Sequence, residues 1–596
     1  MNAISKASAP DAPARGQNAA RPRRAARARQ RGLTRDLLAA AARSALHSVK
    51  TIYRATFAYR WLLSGPLPDR VLLSPEDFRD RRLDDADQMF RGRYRLSGGA
   101  LHAKDVNIWD ADPPNGNFAE DLHGFSWIRH FAAAGSDAAA THVRAAVNDW
   151  LERYAHRVSG LPWRPHVVAR RLIAWCAHSR LVLSGADVLW RSAVFHSIGR
   201  QARYLSRVVY EAREGEPKLT AAIGLALTGV SLPDGERRLS RGLEATLLEL
   251  RRQILPDGGH ISRDPETLLR VYFDLSSLAD ALKRGEKPVP DAIRTSMDRM
   301  APMLRFFRHG DGRLALFNGG AEGAEKSIDA VLARDDTQGK PFGFASQSRF
   351  HRLSKGATAI LLDAGNPPLG PFSTSAHAGA LSFEMSSGAH RIVVNCGASL
   401  LRGAGWREAL RATAAHSSLT IGDASSAAIL NGLPGRRLGK RMAMRGLVAS
   451  RRNDGDDGIW VDASHESYVR AFGLRHERRL YLAESGHDLR GEDRLVPDAN
   501  VSVRDRRRRP FAVRFHIHPD VRVSRAQDGA SVILLLPSGE AWRFRVGAGA
   551  LNLEESVYLG SGDSVRRAEQ IVVTGDVFDE PVKIQWALRR LESGEA

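Results

Sequence analysis

The chain has 596 residues, 43% of them hydrophobic and 26% charged, and this length favours two large domains over a single core. Its net charge of +21 disfavours a basic partner and suits a polyanion, such as a uronate polymer or a nucleic acid. The sequence contains no run of 18 apolar residues, which excludes a spanning helix, and its two cysteines are too far apart to indicate a disulfide framework.

Residues 1–35 carry nine basic side chains and one acidic one, which predicts a disordered basic tail. The tail fits a solvated linker, or an arm that contacts nucleic acid or a membrane surface. It shows no apolar stretch of the kind found in secretory signals, which favours the cytoplasm.

A helical stretch follows at 33–63, with apolar residues at helical spacing. That face fits docking on the rest of the chain, and it leaves peripheral membrane contact of the N-terminal region open. The face consists of Leu37, Leu38, Leu46, Val49, Ile52, Phe57 and Trp61.

From about residue 118 to 310, apolar residues recur at helical spacing, and short breaks rich in glycine and proline separate the periodic segments. Asp264 and Pro265 predict a helix start, because an N-cap residue is followed by proline in the first turn. The pattern predicts antiparallel helix pairs joined by short loops. We expect a helical domain over 36–335.

After about residue 340 the apolar period changes to two, over segments of strand length. Pro537-Ser538-Gly539-Glu540 predicts a hairpin turn between two of these segments. Many short strands without crossover helices predict an antiparallel β-sandwich, over 336–596. The predicted fold class is therefore α+β with two domains, and the seam between them is expected near 334–339.

Two segments of the helical half carry candidate site residues. In DLHGFSWIRHF (121–131), Trp127 could stack on a pyranose and Arg129 could pair with a carboxylate, whereas helix packing is the alternative. In LPDGGHISRDPETL (255–268), His260 and Arg263 lie just before a helix N-terminus, where they could bring a base and a cation to an anionic substrate. The alternative is an ordinary turn that Asp264 caps.

Further candidates lie at strand ends in the β half. His377 precedes one strand and Asn395 ends the next, while Arg411 and His416 lie just ahead of a third. Histidines at the starts of neighbouring strands can converge on a metal or on a substrate oxygen. An isolated histidine there is usually hydrogen-bonded in a structural role, and spacing does not decide between the two.

The order of the motifs DLHGFSWIR, DGGHISRDP, AHAGALSFE, NCG, AHSSLTI and FHIHP resembles the heparinase II/III-like family across about residues 110–520. The resemblance implies an (α/α) toroid followed by a β-sandwich, with a substrate cleft between them. It also implies a carbon–oxygen lyase that cleaves a uronate-containing acidic polysaccharide by β-elimination, with no organic cofactor and with nucleic acid disfavoured as a partner. Such chemistry needs a base, an acid and a group that neutralises the carboxylate. The resemblance also implies a location in the cell envelope, whereas the lack of a secretory signal favours the cytoplasm.

Matched to the family, the metal-binding pattern is incomplete. Its His-x-His-x-Asp pattern reads Ser375, His377 and Gly379 here, and Asn395 replaces the aspartate that closes the next strand. Zinc or another divalent metal would keep His377 and His416 as ligands. We expect such a site to be weak, because a neutral amide is a poorer ligand than a carboxylate.

The catalytic pattern also departs from the family. The position of the catalytic tyrosine falls near Thr267, and Tyr272, five residues later, lies on the predicted buried face of the helix. The family's Asn-His pair falls in the stretch 214–218. The leading hypothesis is a lyase-like enzyme with His260 or His377 as base or acid. In that hypothesis Arg263, Arg411 and Asn395 neutralise the carboxylate.

Two other functions stay open. One is a catalytically degenerate polyanion-binding or polysaccharide-binding protein of the cell envelope. The other is a glycoside hydrolase, which needs two carboxylates facing each other across a cleft. The carboxylates in suggestive loops are Glu120, Asp121, Asp257 and Asp264.

Overall fold

A computed structural model describes residues 34–592, apart from 35–36, 43–44, 47, 55, 105, 184, 336–340, 400–403, 499–507 and 561–564. Nearly all of the predicted basic tail over 1–35 and most of the predicted seam therefore lie outside the described residues. On either side of that seam the structure changes from helices to strands, as the change of apolar period predicts.

The first half folds as an (α/α) toroid. Asp264 caps the helix that starts at Pro265, since its Oδ1 accepts from Glu266 N at 2.9 Å, and this confirms the predicted helix start. Neighbouring helices approach closely where glycine replaces a side chain, because a Cβ on Gly242 would collide with the backbone of Ala226. The helices span Phe57–Leu62, Leu83–Phe90, Gly116–Gly124, Ile128–Ala134, Asp137–Tyr154, Pro165–Ala177, Ser179–Leu183, Val188–Val208, Glu216–Ser231, Glu236–Gln253, Pro265–Arg284, Asp291–Phe307 and Glu325–Leu332.

A small hairpin interrupts the helical half before residue 118. Its strands, β1 (Arg93–Leu96) and β2 (Gly99–His102), pair antiparallel. We did not predict this hairpin, because each strand has only four residues. Helical residues also occur within 34–54, ahead of Phe57–Leu62.

The second half is an antiparallel β-sandwich, and every pair of strands in its described residues is antiparallel. Its strands are β3 (Phe344–Ala345), β4 (Phe350–Lys355), β5 (Thr358–Asp363), β6 (Phe383–Ser387), β7 (His390–Val394), β8 (Leu419–Ile421), β9 (Ala427–Ile429), β10 (Met442–Met444), β11 (Val448–Gly455), β12 (Gly458–His465), β13 (Leu474–Ala483), β14 (Asp488–Pro497), β15 (Arg509–Ile517), β16 (Arg522–Arg525), β17 (Ser531–Leu535), β18 (Ala541–Val546), β19 (Ala550–Tyr558), β20 (Arg566–Val577) and β21 (Val582–Arg590). Short helices at Ala404–Leu410, Gly432–Leu438 and Val469–Phe472 lie in its loops.

Two large sheets form the sandwich. One has the order β11-β12-β13-β14-β21-β18-β17-β16, and the other has the order β19-β20-β15-β7-β6-β5-β4-β3, with β8 also paired to β15. The predicted hairpin turn at 537–540 is confirmed, because β17 and β18 pair across it with Leu535 opposite Ala541. Strands β9 and β10 form a separate pair.

Apolar packing holds the sandwich together and joins it to the toroid. Between the sheets, the rings of Phe383 and Trp586 stack with centroids 5.6 Å apart. At the junction of the two halves, Phe350 of β4 packs edge to face on Phe307 of the helical half, with ring centroids 5.0 Å apart. The two halves therefore share a hydrophobic core, which fixes how their loops meet at the cleft.

The N-terminal helical segment docks on the toroid through polar contacts and two buried side chains. Lys50 and Arg54 both pair with Glu211, while Tyr59 and Leu63 are buried. Apolar side chains of the predicted face instead point to solvent, with 72% of Ile52 and 71% of Trp61 exposed. Within the part of the chain that the structure describes, no helix has the length and apolar character needed to cross a membrane.

Candidate functional site

The cleft that the resemblance implies corresponds to the junction where the helix Pro265–Arg284 meets loops of the sandwich. Asn318 joins the two sides, because its Nδ2 donates to the Arg263 carbonyl and its Oδ1 accepts from His377 N. The glycines that follow allow the two sides to approach each other closely. A Cβ on Gly319 would lie 3.5 Å from His377 Nε2, and one on Gly320 would collide with Asp264 Oδ1. His377 and the start of the helix Pro265–Arg284 are therefore neighbours in the cleft.

His377 and His416 contact each other directly. His416 Nδ1 donates to the Ala412 carbonyl at 2.8 Å, so its Nε2 accepts from His377 Nδ1 at 3.1 Å. Burial lowers the pKa of His416 to about 4 and that of His377 well below its usual range, so both rings are neutral near pH 7. In this arrangement the Nε2 of His377 keeps its lone pair and points towards Gly319, where it could accept a proton.

Asn395 does not complete a metal site with these histidines. Its Oδ1 accepts from Ser417 N and its Nδ2 donates to the Leu316 carbonyl, both at 3.1 Å, so both amide atoms are used by the protein. Among the residues that the structure describes, no group of three histidine, cysteine, aspartate or glutamate side chains could hold a metal ion. The residues therefore do not fit the zinc that the resemblance implies.

Arg411 is a structural residue of the same loops, not the carboxylate neutraliser that we expected. It is 4% exposed and donates to the carbonyls of Ala376, Lys440 and Ser373. These bonds hold the loop that carries His377 against the loop after Gly432–Leu438. Each of its three guanidinium nitrogens therefore already bonds a carbonyl of the protein.

His260 and Arg263 also make structural contacts within the protein. The sequence instead predicted that they contact the substrate. His260 is 3% exposed and bonds Ser262 Oγ at 2.7 Å and Gln253 Oε1 at 3.0 Å, and burial lowers its pKa to about 4. Arg263 ties the toroid to the sandwich, because it pairs with buried Asp363 and donates to the carbonyl of Ser348. Both side chains are therefore used in contacts within the protein.

Trp127 and Arg129 do not line a sugar-binding surface either. Trp127 is fully buried, its Nε1 donates to the Leu122 carbonyl at 3.1 Å, and its ring stacks on Phe125. Arg129 lies beside Asp77, with Nε 3.8 Å from Oδ2, and its Nε donates to the Ser126 carbonyl. Helix packing, the alternative reading of this segment, is what the structure has.

A chain of ion pairs that the sequence did not reveal joins four helices of the toroid. Arg170 contacts Asp121 at 2.9 Å and Glu216 at 3.0 Å, and Arg270 contacts Glu216 at 3.6 Å and Glu266 at 3.2 Å. Burial alone would raise the pKa of Glu216, but Arg170 and Arg270 lower it to about 2. Each of these arginines therefore already neutralises carboxylates of the protein.

Thr267, near which the resemblance places the family's tyrosine, lies at the end of this chain. Its hydroxyl donates to Asp264 Oδ2 at 2.5 Å and accepts from Arg270 Nη2 at 2.8 Å. Burial raises the pKa of Asp264 to about 6. A threonine held in this way has neither the reach nor the acidity of a phenol, so it cannot replace the tyrosine as an acid.

The remaining carboxylates do not form the pair that a glycoside hydrolase needs. Burial would raise the pKa of Glu120, but contacts with His166, Arg213 and Arg164 lower it to about 2, so it is no proton donor. Asp257 accepts from Ser348 N and Ser348 Oγ in a turn. Asp121 and Asp264 are used in the ion-pair chain and the helix cap.

Comparisons with known proteins agree with this architecture. The model of the family described as heparinase II/III-like, C-terminal, matches residues 337–587. FtsZ-localized protein C of Caulobacter vibrioides is 34% identical over 544 residues, covering 90% of this chain and 92% of that protein. Heparinase III has a similar fold at TM-score 0.69 and 14% identity, covering 90% of this chain and 89% of that one. A mutant of the heparan sulfate lyase HepC from Pedobacter heparinus matches at TM-score 0.58 and 18% identity, covering 90% and 88%.

Proposed function

Because the chain belongs to the heparinase II/III-like family, we propose that it uses the lyase fold to bind instead of to cleave, and that it works where FtsZ works. The observation that carries the first half is the hydrogen bond from the Thr267 hydroxyl to Asp264, close to where the resemblance places the tyrosine of the lyases. The relative named for its localisation with FtsZ supports the second half, since the similarity extends over 90% of this chain.

The demands of β-elimination are poorly matched by the cleft. A base near neutral pKa is required, yet burial holds the pKa of His377 far below that range. A free cation is required for the uronate carboxylate, yet Arg170 and Arg270 are paired with carboxylates of the protein. These features support a cleft that has lost the reaction while its fold is retained.

Lyase chemistry with His377 as the base is the second candidate. Its support is the lone pair on His377 Nε2, which no described side chain or carbonyl occupies and which points towards Gly319. The two candidates differ in one product, since elimination creates an unsaturated uronate that absorbs ultraviolet light. An acidic polysaccharide that binds without forming this product would support the first candidate.

We further propose that the N-terminal region contacts an anionic membrane surface. Six apolar side chains of the predicted face are exposed between residues 38 and 61, and nine basic residues lie in the first 35 positions. An apolar helix face combined with a polybasic stretch is the pair of signals that gives stable peripheral binding. The exposed side chains are Leu38, Leu46, Val49, Ile52, Phe57 and Trp61.

Vesicle sedimentation tests the membrane contact. The full chain should sediment with vesicles of phosphatidylglycerol and phosphatidylcholine but not with phosphatidylcholine alone, and added salt should release it. Ile52→Asp with Trp61→Asp should abolish sedimentation without lowering the melting temperature, because both side chains are exposed. The matched control is Val188→Asp with Leu189→Asp, which changes two side chains exposed by 82% and 83% elsewhere on the toroid. Equal loss in both double variants would contradict the proposal.

Imaging tests the association with FtsZ. A fluorescent protein fused to the C-terminus should co-localise with labelled FtsZ in the organism that carries this chain. A diffuse signal in cells where FtsZ is localised would contradict this half of the proposal and would leave the biochemical half to its own assay.

A further inference from the structure

A basic pocket lies beside the β1–β2 hairpin of the helical half, between the end of the helix Leu83–Phe90 and the open end of the hairpin. Its volume of about 550 Å³ falls within the range of small-ligand pockets, roughly 300–1,000 Å³. None of the described residues that line it carries a carboxylate, so the pocket attracts anions. These lining residues are Phe90, Arg91, Gly92, Arg93, His102 and Lys104.

The backbone brings the basic side chains of the pocket together. Arg93 of β1 lies directly opposite His102 of β2, so both side chains project from the same face of the hairpin. That face is the solvent side, because β1 alternates between exposed and buried residues and Arg93 is exposed. Gly92 lets the chain ends touch, since a Cβ there would lie 2.7 Å from the Cα of Lys104. The chain positions of Arg91 and Arg93 therefore flank Lys104.

The three arginine and lysine side chains of the pocket are not used elsewhere in the protein. Among the described residues, Arg91 and Lys104 form no ion pair or side-chain hydrogen bond, and Arg93 Nη1 donates only to the neutral Gln88 amide oxygen, at 3.4 Å. The end of the helix does not need these cations, because its last carbonyls accept from the backbone N–H groups of Arg91 and Gly92. Their charges are therefore available to a ligand.

The charge of the pocket indicates the kind of anion that it fits. Its three permanent cations leave an excess of two positive charges even if Asp105, the next residue in the sequence, offsets one of them. A phosphate ester carries up to two negative charges and matches the fork of a guanidinium, whereas a uronate carries one. A phosphate group is therefore the better match.

Phe90 indicates what the phosphate is attached to. Its ring is held by edge-to-face contacts with Phe131 and His142, at centroid distances of 5.0 and 5.3 Å, yet 40% of the residue is exposed. A fixed and partly exposed aromatic ring beside cations suits a planar base, because every base has a π-face that stacks on such a ring.

We propose that this pocket binds a nucleoside phosphate, with its phosphate paired to Arg91, Arg93 and Lys104 and its base on Phe90. The site goes beyond the proposed function, since it is separate from the cleft, FtsZ and the N-terminal segment. The hairpin tip, where Ser97 bonds Asp121 of the ion-pair chain, is four residues along the chain from Arg93, about 13 Å in a strand.

Calorimetric titration of the full chain in EDTA tests the site, with ADP, GDP and UDP as nucleotides and pyrophosphate, adenosine and glucuronate as partial probes. We expect at least one nucleotide to bind at one site per chain and pyrophosphate to bind about tenfold more weakly. Adenosine and glucuronate should show no saturable binding. If none of the three nucleotides binds, the proposal is overturned. Glucuronate bound as tightly as the best nucleotide would overturn the choice of phosphate.

Two double variants locate the binding. Arg93→Ala with Lys104→Ala should weaken nucleotide binding at least about tenfold and keep the melting temperature, because both side chains are exposed. Arg522→Ala with Arg589→Ala removes two exposed charges from the sandwich instead and should bind like the parent. Nucleotide binding that survives the first double variant, or falls equally in both, would refute the site.

Phe90→Leu separates the contact with the base from the attraction of charge. It should weaken nucleotide binding about tenfold and leave pyrophosphate binding unchanged, because leucine keeps an apolar contact with Phe131 but has no π-face. Equal weakening of both probes, or of neither, would refute the role of Phe90 and with it the nucleoside.

Discussion

Removing the Arg263 guanidinium should destabilise the protein strongly, because this side chain joins the two halves. Arg263 Nη2 lies 2.5 Å from Asp363 Oδ1, Nη1 donates to the Asn366 carbonyl at 3.0 Å, and the guanidinium lies 4.4 Å from the centroid of the Phe350 ring. Both side chains of the ion pair are over 90% buried. Arg263→Ala leaves the Asp363 carboxylate buried without its partner, which costs about 3–5 kcal/mol.

The cost should depend on pH in a defined direction. Burial raises the pKa of Asp363 even beside Arg263, and without the arginine it rises further. A carboxyl whose pKa is raised in the folded state binds a proton more readily there than in the unfolded chain. The stability deficit of Arg263→Ala should therefore shrink as pH falls from 7 towards 4.

Urea unfolding, followed by circular dichroism, measures this deficit at both pH values. Arg263→Met with Asp363→Asn should recover most of the loss, because no buried charge is left while Gly365 N keeps its acceptor. Arg294→Ala is the matched control and should cost less than about 1 kcal/mol, since its pair with Asp291 is exposed. If Arg263→Ala has the unfolding free energy of the parent but loses glycan binding, Arg263 contacts a ligand. The structural role that we assign to Arg263 would then be wrong.

Two further predictions concern protons and metal. Burial lowers the pKa of His260, His351 and His416 to about 4 and that of His516 to about 3, so below pH 6.5 the unfolded chain binds protons that the folded chain does not. Each should remove about 1.4 kcal/mol of stability per pH unit between about 6.5 and 4, and an unfolding free energy that stays constant from pH 7 to 5 would contradict their burial. The chain purified without chelator should contain far less than one zinc per molecule, and EDTA should leave its melting temperature unchanged. Stoichiometric zinc that is lost in His416→Ala would show that the histidine pair recruits a ligand that we have not identified.

The apolar period predicted the change from helices to strands, and local signals predicted the start at Pro265 and the turn at 537–540. These features depend on residues close together in the chain, which is why the sequence alone was sufficient. The β1–β2 hairpin escaped prediction because two strands of four residues carry too short a pattern to recognise.

The site was less accessible to prediction, because its contacts join distant parts of the chain. Arg263 looked available beside a glycine-rich loop, but its partner Asp363 lies 100 residues further on. The ion-pair chain draws Asp121, Arg170, Glu216 and Arg270 from four helices, and no local spacing marks them. Only the contact between His377 and His416 had a local signal, since both precede short strands.

The most direct test of the account is the formation of unsaturated uronate. Concentrated parent protein and His377→Ala are incubated with heparan sulfate, chondroitin sulfate, alginate and polygalacturonate, while ultraviolet absorbance is followed for hours. We predict no increase above the rate without protein for either sample, because Thr267 supplies no acid and the cleft arginines are already paired. An increase that the parent produces and His377→Ala abolishes would contradict the account and establish His377 as the base of an active lyase.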